Sequence, residues 1–385
     1  MSTRQPVRYV VDLSRPGHEI VVTATFPHPG PSGGTVHVFM PRWAPGSYLV
    51  REFARHVEWI RARQGAVELP VRKSATDEWR IETRDDSALI VEYGLYAHEM
   101  TVRTNYLATD RALIAGAATF LRPTEGDIGP LRVKIRQPEG WPLPECALPV
   151  EGGAFVAADF DELIDSPIAA GPRTVASFDV KGVPHRIAVY GQGDSDAEGL
   201  VEDVRATCEA ASDVFGDIPC SSYLFIIELG CGGGLEHAAS SVCGIPVVAR
   251  ATDADWRRSL SLVAHEYFHL WNVKRIRPAA LGPFDYRREA HTPHLWVAEG
   301  LTSYYQHVIG LRAGLLSAER FLTIMAAHVL DLESTPGRLV QSLEESSHDA
   351  WIKYYRPHEN TPNSTVSYYG KGAVAGRKRK YSRRA

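Results

Sequence analysis

"AHEYFHLWNVKR", Ala264 to Arg275, sets two histidines four residues apart with a glutamate directly after the first. On a helix, positions i and i+4 project from one face a turn apart, so His265 and His269 can offer their imidazole nitrogens to one ion. Zn²⁺ accepts such nitrogens at about 2.0–2.1 Å. Glu266 lies about 100° further round the helix. There it cannot be a third ligand, but it can reach a water held by the metal. A metal lowers the pKa of that water, and a nearby carboxylate takes its proton during attack on a carbonyl. This is the H-E-x-x-H arrangement. On these five residues alone, a structural pair of histidines is an equal reading, so the third ligand decides.

After His269 the chain reads "LWNVKRIRP", without the Gly and His that a metzincin requires there. A glutamate from a second helix is the other solution. "LWVAEGLTSYY", Leu295 to Tyr305, supplies Glu299 in an otherwise apolar helical stretch, followed by small Gly300, which permits close packing. A buried carboxylate without a partner is costly. An arginine would partner it as well as a metal would, and the histidine pair upstream tips the reading to metal. His265, His269 and Glu299 are therefore the expected ligands of one Zn²⁺ per chain.

The rest of the sequence is compatible with such an enzyme. At 385 residues the chain is long enough for two domains. Apolar residues make up 44% and charged residues 23%, ordinary for a globular protein. The net charge of -4 is uneven, because "GRKRKYSRRA" from Gly376 holds six basic residues, leaving 36 basic against 46 acidic before it. A mildly acidic body argues against nucleic-acid binding. No apolar stretch is long enough to span a membrane, and the first twenty residues lack the pattern of a secretory signal. The five cysteines include no C-x-x-C pair and read as reduced, mostly buried thiols. A cytoplasmic protein is the expectation.

Residues 7 to about 170 read as β-rich. "VRYVVDL", "EIVVTATF", "TVHVFMP", "EWRIET", "ALIVEYGLYA" and "LRVKIRQP" are short, β-branched or aromatic, and bounded by Gly, Pro and Asp. "PRWAPGSYLVREFARHV", Pro41 to Val57, breaks the alternation and reads as a structured loop packed against a neighbour. Beyond about Gly171 a strand pair, "SFDVKGVPHRIAVYG", gives way to helical spacing in "DAEGLVEDVRATCEAASDVFG". "YLFIIEL", Tyr223 to Leu229, reads as a buried strand. "HLWVAEGLTSYYQHVIGLRAG" and "LSAERFLTIMAAHVLDLE" read as helices. The expected division is a β-rich domain over 1–170, an α+β catalytic domain over 171–375 and a basic tail over 376–385.

"HEYFHLWNVKRIRP" together with "WVAEGLTSYY" resembles the glycyl aminopeptidase family of zinc metallopeptidases, within the gluzincin group. "PRWAPGSYLVREF" is similar to that family's N-terminal domain signature, and "GGLEH", Gly233 to His237, to its substrate-anchoring segment. The motifs run in the expected order from about Val7 to Lys371. The resemblance implies an N-terminal antiparallel β-rich domain followed by a thermolysin-like α+β zinc peptidase domain. It implies His265, His269 and Glu299 as ligands and Glu266 as general base. It implies Glu236 as the group holding the substrate's free α-ammonium, beside Gly233 and Gly234. Glycines there would let a peptide backbone lie alongside like an added strand. "SYYGKGA" is similar to the segment in which a tyrosine supports the oxyanion, implying Tyr369, with Tyr368 as backup. Standing alone, "CGGGLEH" reads as a Gly-rich turn and the two tyrosines as packing.

The implied substrates are short peptides with a free N-terminus and a small first residue, Gly or Ala. Tyr304 and Tyr305 read as packing residues, and Lys274, Arg275 and Arg277 as a solvated basic face. Members of the family continue into further helices and a C-terminal PDZ domain, whereas here "SYYGKGAVA" turns abruptly basic. That change reads as a shifted frame or a truncated end, leaving the catalytic domain C-terminally incomplete, with a basic surface tail as the alternative. The competing functional reading is a catalytically inactive homologue whose β domain binds peptides or proteins. An endopeptidase with the same zinc chemistry is a third.

Overall fold

The structure, a computed structural model, describes residues 5–27, 33–126, 128–193, 197–248 and 252–381, with backbone alone for 197–198 and 377–381. It divides into two compact units, one of Met1–Ser47 and Arg51–Arg173, the other of Tyr48–Val50 and Thr174–Ala385.

The first unit is built of β-sheets with eight, four and three strands. Alternation produces them: Val7, Tyr9 and Val11 are buried along Val7–Asp12, and Leu89, Val91, Tyr93 and Leu95 along Leu89–Tyr96. Each such side chain, fully buried, contributes about 1.5–3 kcal/mol. Two buried phenols are satisfied at their tips, Tyr9 Oη donating to Leu121 O (2.7 Å) and Tyr93 Oη to Thr119 O (2.8 Å). Neighbours in the large sheet run antiparallel, except that Val7–Asp12 lies parallel to Leu131–Arg136. The stretch Pro41 to Val57 forms no strand before its last residue; it holds one 3-10 turn, Phe53–His56, and buries Trp43, Tyr48 and Phe53.

The second unit centres on a five-stranded sheet in the order Arg173–Val180, Val183–Tyr190, Tyr223–Leu229, Ser240–Ile245, Gly234–Glu236. Val183–Tyr190, Tyr223–Leu229 and Ser240–Ile245 run parallel, while the edge strand Gly234–Glu236 is antiparallel to its neighbour. Parallel strands are covered on both faces, and all seven residues of Tyr223–Leu229 are buried. Phe225, Ile227, Val204, Cys208, Val263 and Tyr267 pack in one core between this sheet and the helices Ala197–Phe215 and Asp253–Phe268.

The helix Asp253–Phe268 starts where the Thr252 side chain accepts from the Asp255 amide, with Asp253 and Asp255 in its first turn. The helices Leu301–Arg312, Ala318–Ser334, Leu343–His348 and Tyr368–Tyr381 follow. The five cysteines are free, with Cys146, Cys208 and Cys243 buried. Among the described residues no helix is long and apolar enough to cross a membrane. The side chains of the basic segment from residue 377 onward lie outside the described residues.

Candidate active site

His265 and Glu266 occupy the last turn of the helix Asp253–Phe268, and His269 is its C-cap. The His269 amide still bonds to His265 O (3.3 Å), so the two imidazoles keep their one-turn relation. Their rings stand 4.7 Å apart at 82°. Both Nε2 atoms face one oxygen, Glu299 Oε2, at 3.3 Å from His265 and 3.4 Å from His269. A tetrahedral ion with bonds of about 2.0–2.2 Å sets its ligand atoms about 3.3–3.6 Å apart. Both distances from Glu299 Oε2 to the histidine nitrogens therefore match that spacing, and the three candidate ligand atoms lie within 4.8 Å of one another.

The remaining ring nitrogens fix the tautomers. His269 Nδ1 lies 2.8 Å from the Asn272 carbonyl, which can only accept, so Nδ1 carries the hydrogen and Nε2 is left facing the other donors. His265 Nδ1 donates to Gln306 Oε1 (2.6 Å), whose amide nitrogen in turn donates to Ser261 Oγ (2.9 Å). Such outer hydrogen bonds orient metal-binding imidazoles and raise their basicity.

Glu299 sits in a single π-helical turn, Trp296–Gly300, that opens the helix Leu301–Arg312. Turns of this kind recur at functional sites. Asn272 holds it: its side-chain amide lies 2.8 Å from Val297 O, 3.0 Å from Ala298 O and 3.0 Å from Thr302 Oγ1. One residue thus orients His269 through its carbonyl and pins the glutamate-bearing turn through its side chain. Sequence reading treats this segment as plain helix; an amide-bearing residue three positions after the second histidine was the only signal. Tyr48, from the loop read as structured, donates to the second oxygen of Glu299 (3.2 Å).

Charge is concentrated here and away from solvent. Glu266, His269 and Glu299 are 4%, 1% and 2% exposed. Burial would lower the His269 imidazole, but Glu299 and Glu236 outweigh it and push it up to about 10. Burial would raise Glu299, yet His269 and His265 hold it well below the usual carboxylate range. The buried carboxylates thus favour positive charge at the imidazole end of the cluster. With both Nδ1 atoms hydrogen-bonded elsewhere, a divalent cation fits the donor set.

Glu266 is pushed up to about 7 by burial, against the pull of His265 and His269. Its carboxylate, Glu236 and His269 present ligand atoms within 4.8 Å of one another. Gly233 takes φ +84° just before the edge strand, and Gly234 presses against Glu266, where a Cβ would lie 2.0 Å from Oε1. Glu236 is 3% exposed, and its Oε1 has no hydrogen-bond partner among the described residues.

Tyr369 is half-buried, its ring 6.2 Å from His265 and its hydroxyl 3.1 Å from that of Tyr355. Tyr368 is fully buried and donates to Tyr355 (3.2 Å). Burial first, then nearby Glu299, Tyr355 and Tyr368, raise the Tyr369 phenol well above its ordinary value, so it stays protonated at neutral pH. Two glycines bring its helix close: a Cβ on Gly300 would come within 2.6 Å of Gly372 Cα and 2.8 Å of Tyr368 O. Tyr304 packs with Val308, Met325 and Ala373, and Tyr305 stacks on Phe268 at 4.9 Å. In the basic run, Arg275 donates to Pro219 O and Arg277 lies over the Phe284 ring (5.4 Å).

No curated protein matches this sequence. An aminopeptidase N family protein from Idiomarina loihiensis is similar in structure, with TM-score 0.91 and 29% identity over 96% of this chain. The chain spans 65% of the length of that protein. An M1 zinc metallopeptidase from Deinococcus radiodurans matches with TM-score 0.54 and 14% identity, over 96% of this chain and 80% of its own. Aminopeptidase A from Legionella pneumophila matches with TM-score 0.55 and 15% identity, over 96% and 47%. At such low identities these last two speak for the fold alone. The Peptidase M61 N-terminal domain matches residues 8–172, and M61 glycyl aminopeptidase matches residues 258–375. With both parts matched in order, the chain belongs to the M61 glycyl aminopeptidase family.

Proposed function

We propose that this protein is a zinc-dependent aminopeptidase that removes the first residue of short peptides, with glycine or alanine at that position. The observation that carries the reading is Glu236, buried beside Glu266 and His269, whose Oε1 has no hydrogen-bond partner among the described residues. A buried polar atom left without a hydrogen bond costs about 1–3 kcal/mol. An incoming α-ammonium relieves that cost. The amine and the scissile carbonyl of a peptide are separated by one carbon, so an ammonium-binding carboxylate belongs this close to the metal donors. An enzyme cutting within chains would gain nothing from it. The preference for a small first residue is carried by family membership.

His265, His269 and Glu299 would hold the ion. Zn²⁺ bound there supplies Lewis-acid stabilisation of negative charge on oxygen. Glu236 anchors the ammonium, and the sheet edge at Gly233 and Gly234 gives the substrate backbone a strand to lie beside. Glu266 takes the proton of the attacking water and delivers it to the leaving amine. The phenol of Tyr369 donates a hydrogen bond to the developing oxyanion. The test is Glu266→Gln, assayed on a glycyl arylamide with zinc content measured in parallel. The variant should retain zinc and lose at least about 10²-fold in kcat. Near-normal turnover would refute the role of Glu266, and equal cleavage of free and N-acetylated peptides would sink the aminopeptidase reading.

A further inference from the structure

We propose that Tyr48 is a positioning residue that restricts Glu299 to one-oxygen ligation and thereby keeps a coordination position open for substrate; the inference rests on the metal reading above. The two oxygens of Glu299 are used differently. Oε2 is the atom facing both histidine Nε2 atoms, at 3.3 and 3.4 Å. Oε1 accepts from Tyr48 Oη at 3.2 Å. A carboxylate with both oxygens free can grip an ion with both and fill the place a substrate needs. Catalytic zinc sites have three protein ligands and one open position. An oxygen committed to a phenol is withheld from the metal.

The phenol is held in place. Tyr48 is 2% exposed and meets Trp351 edge-on, ring centroids 6.0 Å apart at 80°. Its loop is closed locally by Arg51 N bonding to Arg42 O (2.7 Å) and Ser47 N to Ala44 O (3.0 Å). Arg51 Nε donates to Ser47 Oγ (3.0 Å), a second brace one residue away. A side chain this confined, bonded to one oxygen of a buried ligand, sets the carboxylate's rotation as well as its position.

The test uses the full chain and its Tyr48→Phe variant, both stripped of metal. Each is titrated with Zn²⁺ against a chromophoric chelator and with Co²⁺ read in the visible. Loss of the hydroxyl frees the second oxygen of Glu299 for the metal, so Zn²⁺ should bind as tightly as in the wild type or more tightly. It should dim the Co²⁺ bands, as a rise from four to five ligands does, and raise KM, because the second oxygen takes the place the substrate needs. Wild-type protein that binds metal beside a variant identical in spectrum and KM overturns this inference alone. Wild-type protein that takes up no metal overturns the metal reading, and this inference with it. X-ray absorption of the zinc-loaded wild type needs no variant. A single carboxylate oxygen in the inner shell supports the proposal, and two such oxygens overturn it.

Discussion

Replacing Gly234 by alanine perturbs Glu266, the proposed general base, and leaves the proposed metal ligands alone. The added Cβ would stand 2.0 Å from Glu266 Oε1, 2.4 Å from Cδ and 2.6 Å from Cγ. Non-bonded heavy atoms settle at about 3.5–4.0 Å, so the deficit is about 1 Å at Cγ and more at the carboxylate. The edge strand cannot simply retreat. Gly234 lies opposite Cys243 in the ladder, and Gly244 N bonds to Gly233 O (2.8 Å). Glu266 is 4% exposed on a packed helix, so its side chain must swing. A misplacement of about 1 Å costs about 10²-fold in rate, equivalent to about 2.7 kcal/mol of transition-state stabilisation. His265, His269 and Glu299 are untouched, and Gly234 is not among the glycines at positive φ, so folding and zinc content should be preserved. The measurement is kcat on a glycyl arylamide beside metal analysis. Undiminished kcat with full zinc would show that Glu266 does not work from its present position.

Asn272→Asp keeps the shape but turns a donor into an acceptor against Val297 O, Ala298 O and Thr302 Oγ1. It should cost about 3 kcal/mol, lower the melting transition of this unit by about 6–12 °C, and weaken zinc binding in a chelator competition. Tyr369→Phe should lower kcat about 10²–10³-fold, the effect of losing one oxyanion donor, with KM unchanged in steady-state assays. Chelation should lower the melting temperature, and zinc restored to 1,000 times its dissociation constant should return about 4 kcal/mol. Glu266→Gln, whose ligands are intact, should respond to zinc in calorimetry as the wild type does.

How far the fold was legible depends on how long a pattern each strand displays. Val7–Asp12, Glu19–Phe26 and Leu89–Tyr96 alternate over six to eight residues and announce themselves. Val57–Gln64 is as long, yet only Ala62 and Gln64 are buried, and Glu58, Arg61 and Arg63 dominate its text. It is a strand because its ladder to Leu89–Tyr96 satisfies the backbone and because Trp59 Nε1 donates to Glu19 Oε1 (2.6 Å). Tyr106–Leu107, Ala112–Ile114 and Ile168–Ala170 have two or three residues each, too few to display any period. "YLFIIEL" was legible for the opposite reason: a strand covered on both faces must be apolar throughout.

The same contrast runs through the site. The two histidines and the base stand within one helical turn, so spacing alone describes their geometry. The groups that aim them are far away in sequence: Gln306 acts on His265 across 41 residues, and Tyr48 on Glu299 across 251. No local pattern could contain such pairs. The π turn under Glu299 is illegible for a related reason, because the amide of Asn272, 25 and 26 residues earlier, meets its carbonyls. A helix propensity reads only the chain's own i→i−4 bonds and misses a turn held open by an outside donor. In "CGGGLEH", Gly233 takes φ +84°, a conformation that suits glycine, and the strand begins at the next residue, setting Gly234 against Glu266. Ligand identity is thus written in short-range spacing, while ligand orientation is written only in the tertiary structure. Substitutions at the distant orienting residues should therefore tune metal affinity while leaving the spacing of His265, Glu266 and His269 unaltered.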